Sequence, residues 1–291
     1  MESVILFHFP ASLCSQKVRL ALAEKRVAYE GRVVDIELRL DNYEPWYVRM
    51  NPRAVVPTLV HGDRVVTDSA RILRYVDARF PGPRLTPEAS DAVARMEHWI
   101  GVQDALRLRE LSYASFRGAL GFLLRRIAMP LRQSKLRRLR AKNPDLAPAY
   151  DAKIADVRDW RVSIARPPEI ARIRSEIARA LEAVDRRLGE TEYLASDEYS
   201  LADVAWTCVL ARLEMSGLAP LWRGGELPRL DAYYRGLCAR PSFAEAGVWN
   251  AMPSGRARLD LMKTLRTRPV GDVRSVTPAV AFSEPARAGK R

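Results

Sequence analysis

Cysteine and histidine are scarce, at three residues each in a chain of 291. Cys14, Cys208 and Cys238 make no CxxC pair and no disulfide framework. His8, His61 and His98 stand far apart, so no metal site is expected. Long apolar runs are missing too: no segment reaches the roughly 18 residues a membrane helix needs. Met1-Glu2-Ser3 gives no basic start to a secretory leader, and the expectation is cytoplasmic residence. Aromatic residues do not interleave with the arginines, which argues against nucleic acid as a partner. Apolar residues make up 48% of the chain, enough to build real cores at this length.

The net charge of +13 is unevenly spread. Residues 1–83 carry 12 basic and 10 acidic side chains, residues 107–142 carry 11 and one, and residues 254–291 carry nine and three. The basicity therefore belongs to one helical stretch and a tail. Gly118 to Lys142 combines Leu120, Phe122, Leu123, Leu124, Ile127 and Leu131 with six arginines and two lysines, all from Arg125 onward. One reading is an amphipathic segment that touches an anionic membrane or grips an acidic partner. The blander one is a helical flap over a ligand site with a solvated basic face.

The first 80 residues alternate strand and helix signals. Val4–Phe9 reads as a buried strand, Cys14–Lys25 as a helix, Ala28–Ile36 as a second strand and Asn42–Arg49 as a short helix or turn. Thr58–Val60 and Val65–Thr67 read as a hairpin around Gly62, and Ser69–Phe80 as a closing helix. This β-α-β-α-β-β-α order predicts a thioredoxin-like domain over residues 1–82. Pro81-Gly82-Pro83 then punctuates the chain, and residues 83–253 read as helical throughout, with an insertion at about 111–165. A long helix is expected from Thr86 to about Arg109, and a basic helical stretch with a break near Met129-Pro130. Further helices are expected around Trp160, over Pro168–Leu188, from Ser200 and over Leu230–Ala239. Arg256–Thr267 has a weak helical pattern, and the tail over residues 254–291 reads as disordered.

Four features bear on chemistry. Ser12-Leu13-Cys14-Ser15 sits where a strand runs into a helix start, whose unpaired N–H groups and dipole favour an anion. Cysteines in such places have pKa values of roughly 3.5–7.5; a serine cap with a half-buried cysteine is the plain alternative. In Val55-Val56-Pro57-Thr58, a cis bond at Pro57 would present the Val56 backbone to an extended peptide ligand, whereas a trans proline would only mark an edge. In Thr67-Asp68-Ser69, the Ser69 hydroxyl and helix-start amides suit a carboxylate, or simply cap the helix. Ser200-Leu201-Ala202-Asp203 is a structural capping box. Three neighbours have competing roles: His8 as pocket wall or surface residue, Trp46 as pocket wall or packing for a short helix, and Arg53 as ligand contact or solvated loop residue. Cys208 and Cys238 read as core packing.

Taken in order, these residues resemble the glutathione transferase superfamily over roughly residues 4–250. Ser12 to Arg19 and Ala54 to Thr67 are similar to the tetrachlorohydroquinone-type dehalogenase branch. The inserted Asn143-Pro144-Asp145-Leu146 with Tyr150 and Lys153 resembles the ganglioside-induced differentiation-associated proteins. The zeta class is similar around Ser12 and Cys14 but lacks the insertion. The resemblance implies a thioredoxin-like domain with an all-α bundle, a homodimer, and glutathione as cosubstrate with no metal. It implies a cis Pro57, with Val56 pairing the cysteinyl backbone of glutathione and Asp68 and Ser69 holding its γ-glutamyl end. Ser12 falls where serine-type transferases place the hydroxyl that donates to the glutathione thiolate, and where omega-type enzymes place a cysteine. Cys14 matches the dehalogenase cysteine that forms a mixed disulfide. The expected activity is glutathione transfer or thiol transfer on a small hydrophobic electrophile, including reductive dehalogenation or ether cleavage. A non-catalytic module working at a membrane or in a complex, and a zeta-like isomerase, are the rival readings.

Overall fold

The computed structural model describes residues 2–115 and 118–251; the expectations for the 254–291 tail lie outside them. Strands β1 (Val4–His8), β2 (Glu30–Val33), β3 (Thr58–His61) and β4 (Arg64–Thr67) form one sheet in the order β2-β1-β3-β4. The β1–β2 pair is parallel, and β3 runs antiparallel to both β1 and β4. The period of two in each strand divides the sheet's faces. Val4, Leu6, Leu59 and Val66 point to one side, where helices α1 (Leu13–Glu24) and α3 (Ser69–Arg79) supply Val18, Leu22, Ile72 and Val76. Ile5, Phe7, Val60 and Val65 point to the other, which is covered by Trp46 and Tyr47 of α2 (Pro45–Met50). Trp46 is thus a packing residue, with its ring 6.0 Å from that of Phe7.

Gly82 turns the chain out of this sheet at φ +114°, where a Cβ would stand 2.7 Å from the Lys25 carbonyl oxygen, so only glycine fits the turn. The helical half begins with α4 (Ser90–Ala105), α5 (Leu108–Ala114), α6 (Gly118–Leu123), a π-helical turn (Leu124–Ala128) and α7 (Met129–Lys142). Then come α8 (Ala147–Ile164), α9 (Pro167–Arg187), α10 (Leu201–Met215), α11 (Pro228–Ala239) and α12 (Pro241–Glu245). Helix α10, buried nearly all round, packs against α1 and α4 and makes one continuous core across both halves. Among the described residues no helix is long and apolar enough to cross a membrane.

Three elements differ from expectation. The second strand is only four residues long, with Ala28–Tyr29 before it and Val34–Ile36 after it outside the strand, although the Val34 amide still donates to the His8 carbonyl at 2.9 Å. The long helix after Pro83 begins at Ser90 and stops at Ala105, where Leu106 is extended and α5 starts afresh. The insertion packs onto the first half. Met129, Leu136, Tyr150, Val157 and Trp160 build a separate core with Leu40, Tyr43, Val48 and Ala54 of the β2–α2 connection and its flanks. Part of the basic face of α7 is spent there rather than in solvent. Arg132 pairs with Glu37 at 2.7 Å and donates to the Ile36 carbonyl at 2.9 Å, and Lys135 pairs with Glu44 at 2.6 Å. For these two residues the acidic partner is the chain's own N-terminal half.

Candidate functional site

The ladder register brings the sequence motifs to one edge. Phe7, Thr58 and Thr67 lie in one row across β1, β3 and β4. The next residues outward are those leaving β1 toward α1, Val56-Pro57 entering β3, and Asp68-Ser69 leaving β4. Ser12, Cys14, Val56, Pro57, Asp68 and Ser69 are thereby gathered at one end of the sheet, the end where β1 and β2 finish and open α/β sheets hold ligands.

Ser12 caps α1, its Oγ accepting from the Ser15 amide at 3.3 Å. Among the described residues its hydroxyl has no acceptor. Cys14 is a free, half-buried thiol in the first turn of the helix, and Ser15 below it is buried, accepting from the Phe9 amide at 3.3 Å. The Val56–Pro57 peptide is cis. Tyr47 and Asn51 hold the Val55 carbonyl at 2.7 and 2.8 Å, whereas nothing among the described residues hydrogen-bonds the Val56 N–H or C=O. An extended peptide would find both groups unpaired.

Asp68, not Ser69, is the N-cap of α3. Its Oδ1 accepts from the Ala70 and Arg71 amides at 3.1 and 3.3 Å, and Arg53 pairs with Oδ2 at 3.1 Å. Its backbone sits at φ +74°, ψ +124°, a region that costs a non-glycine residue about 1–3 kcal/mol and that clusters at functional sites. Ser69 is the first helical residue, with no partner for its hydroxyl among the described residues.

Sequence reading missed the cations that close this end. Lys17 is buried, donates to Gln103 of α4, and lies 3.8 Å from Asp104. Arg212, the one basic residue on the largely apolar α10, donates to the Ala11 carbonyl beside Ser12, and its Nε has no partner among the described residues. Burial lowers its pKa, while Tyr113, Cys14 and Cys208 are near enough to pull the other way. Tyr113 in turn donates to Glu37. The signal available was Arg212 itself, an arginine interrupting an otherwise buried helix. Cys208, four residues before it, is fully buried, and burial pushes its thiol up to about 12. It is a packing residue, as expected. Burial raises Cys238 as well. No group of three or more His, Cys, Asp or Glu suited to a metal occurs among the described residues.

His8 belongs to the seam between the two halves rather than to the surface or the ligand edge. Its Nδ1 lies 3.3 Å from Nη1 of Arg19, whose Nε and Nη2 donate to the Ala246 and Gly247 carbonyls at 2.7 and 3.0 Å. A guanidinium only donates, so His8 must accept at Nδ1 and carry its proton on Nε2. Burial first, and Arg19 second, lower its pKa to about 4. Between pH 6.5 and 4 the unfolded chain then binds a proton that the folded chain does not, so stability falls as the pH drops. The contribution is of order 2–3 kcal/mol. Urea unfolding at about pH 7 and pH 4.5 should show a smaller acid loss in His8→Gln, whose amide oxygen can still accept from Arg19. Equal losses in both proteins would contradict the assignment.

Comparison with known proteins agrees with this architecture. The family model described as glutathione S-transferase, N-terminal domain, matches residues 6–84, and that of the C-terminal domain matches residues 167–236. The basic insertion falls in the gap between them. A tetrachloro-p-hydroquinone reductive dehalogenase of Sphingobium chlorophenolicum is 33% identical over 248 residues, which is 85% of this chain and 97% of that protein. Ganglioside-induced differentiation-associated protein 1-like 1 of Homo sapiens is 26% identical, covering 83% of this chain and 73% of its own. Among solved structures, the beta-etherase LigF from Sphingobium sp. strain SYK-6 shares the fold with a TM-score of 0.67 at 20% identity, over 84% of this chain and 98% of that one. With a sheet-bearing half, a helical half and a relative matched almost end to end, the chain belongs to the glutathione S-transferase family, whose members use glutathione as cosubstrate.

Proposed function

We propose that residues 1–82 bind glutathione along the gathered edge, that residues 83–253 complete a pocket for a small hydrophobic electrophile, and that the reaction is glutathione-dependent thiol transfer. Reductive dehalogenation fits the site best, and this reading carries a homodimer and cytoplasmic residence with it. The Val56 backbone pairs with the cysteinyl residue of glutathione, Asp68 and Ser69 take its γ-glutamyl end, and Arg53 steadies Asp68. The observation that carries the reading is the pair of groups at one helix start: the Ser12 hydroxyl, without an acceptor among the described residues, and the free Cys14 thiol.

The chemistry runs in three steps. Bound glutathione thiolate, with Ser12 donating to it, forms a carbon–sulfur bond at the halogenated carbon and halide leaves. Cys14 thiolate then attacks the adduct sulfur: a disulfide to glutathione forms, the carbon–sulfur bond breaks, and the carbon takes the electron pair and a proton. A second glutathione thiolate attacks that disulfide, releasing oxidised glutathione and restoring Cys14. The balance is R–Cl + 2 GSH → R–H + GSSG + HCl, with the two glutathiones as reductant. Were Cys14 idle, the first step alone would be a conjugation with Ser12 as its donor.

Isothermal titration with glutathione tests the binding half. Binding is expected at millimolar or lower concentration, with Asp68→Ala weakening it about tenfold or more through loss of a charged partner and the α3 cap. No heat of binding at millimolar glutathione would overturn the site.

A further inference from the structure

A second concave site lies away from the glutathione edge, between the insertion and α9. It is an open cleft of about 1180 Å³, and none of Ser12, Cys14, Val56, Pro57, Asp68 or Ser69 lines it. Ligand pockets commonly span roughly 300–1,000 Å³, so the space suits a sizeable molecule. Its floor is aliphatic, with Ile154, Ile164 and Ile170 contributed by α8 and α9. Phe122 and Val162 also line it, and they are 60% and 42% exposed, apolar surface that a ligand would cover.

Five of the fifteen lining residues are arginines and none is acidic. Arg158 is paired with Asp159 at 3.0 Å. Arg126, Arg137, Arg161 and Arg174 have no carboxylate within about 4 Å among the described residues. The nearby carboxylates are engaged elsewhere: Asp151 by Arg140, Asp156 by Arg109 and Lys153, and Glu169 and Glu176 by Arg172. Four uncompensated guanidinium groups around an aliphatic floor would be poorly matched by one carboxylate. A head carrying two or more negative charges on several oxygens suits their forked donors.

We propose that this cleft binds a phosphate-bearing amphiphile, its alkyl chain on the Ile154–Ile164–Ile170 floor and its head among Arg126, Arg137, Arg161 and Arg174. The site is independent of the glutathione reaction and of Cys14. A phosphate monoester has its second pKa near about 6, so the fully charged head is present at pH 7.5 and largely lost at pH 5.5.

The test is calorimetric titration of the full chain with dodecyl phosphate below its micelle concentration. One-to-one binding is expected at about pH 7.5, weaker at pH 5.5, and weakened about tenfold or more in an Arg161→Glu/Arg174→Glu double variant. Both positions are exposed, so the variant should keep the wild-type melting temperature and glutathione affinity. Val162→Asp, which puts a negative charge on the exposed apolar lining of the cleft, should weaken binding independently. Dodecyl maltoside binding as tightly would mean the head contributes nothing, and inorganic phosphate binding as tightly would mean the chain contributes nothing; either overturns the proposal. So would flotation with phosphatidic acid vesicles in the absence of any binding to monomeric dodecyl phosphate, which would assign these arginines to a membrane surface.

Discussion

Replacing Cys14 with serine should stop formation of the dehalogenated product, with a loss of about 10³-fold or more, while halide release continues. The two readouts separate because the two sulfurs act in different steps. Glutathione expels the halide, and Cys14 then removes glutathione from carbon. In Cys14→Ser the glutathionyl adduct should accumulate and oxidised glutathione should not form, as mass spectrometry with a chlorinated hydroquinone would show. Ser12→Ala should act earlier. It removes one hydrogen bond to a charged sulfur, about 1.5–3 kcal/mol, and should slow halide release about 10- to 100-fold. Reduced product formed at the wild-type rate by Cys14→Ser would remove Cys14 from the chemistry and leave a conjugating transferase. Cys208 offers no rescue, since it is fully buried and raised to about 12.

The N-terminal half was legible because its signals are local. Alternation in Val4–Phe7 and Leu59–Val60 separates two buried faces, Ser12 and Ser200 mark helix starts, and Gly62 at φ +58° marks the hairpin. Val56-Pro57 could be placed opposite Asp68 from the hairpin alone. The position of the α3 cap could not, because Asp68 occupies an unfavourable backbone region that residue preference argues against, and two helix amides and Arg53 hold it there. The helix expected through Arg109 also failed: its break comes at Leu106, whose backbone turns extended with no proline or glycine at the break to announce it.

The contacts hidden from sequence reading join residues far apart. Lys17 meets Gln103, Arg132 meets Glu37, and Arg212 meets the Ala11 carbonyl, spans of 86, 95 and 201 residues. Each is a charge on one half finding its partner on the other, and no spacing rule reports it. The same limit hid the fate of the basic insertion. Its composition admits a solvated flap, the favoured reading, but also a membrane surface or an acidic partner. Only the fold distributes Arg132 and Lys135 to the β2–α2 connection and leaves Arg126 and Arg137 facing the cleft.

Asp203→Ala should be the most destabilising single substitution at the capping box, by about 3–5 kcal/mol. The carboxylate is fully buried and accepts four hydrogen bonds. Oδ2 takes the Ser200 amide at 2.8 Å and the Ser200 hydroxyl at 2.7 Å, and Oδ1 takes the Leu194 amide at 3.0 Å and the Tyr233 hydroxyl at 2.6 Å. Burial raises its pKa against the pull of these donors. An alanine would strand two backbone amides and two hydroxyls in a dry core, each costing about 1–3 kcal/mol and not adding fully. Tyr233→Phe removes only one donor and should cost about 1 kcal/mol. By scanning calorimetry Asp203→Ala should melt of order 10 °C below wild type, at about 2–4 °C per kcal/mol for a chain of this size. A shift under about 2 °C would show that the box is dispensable. The consequence reaches the site because the box fixes where α10 begins, and α10 carries Arg212 to the Ala11 carbonyl beside Ser12. A partly folded Asp203→Asn variant should therefore lose transfer activity faster than it loses helix content. The register of α10 sets the position of Arg212, and helicity alone does not preserve that register.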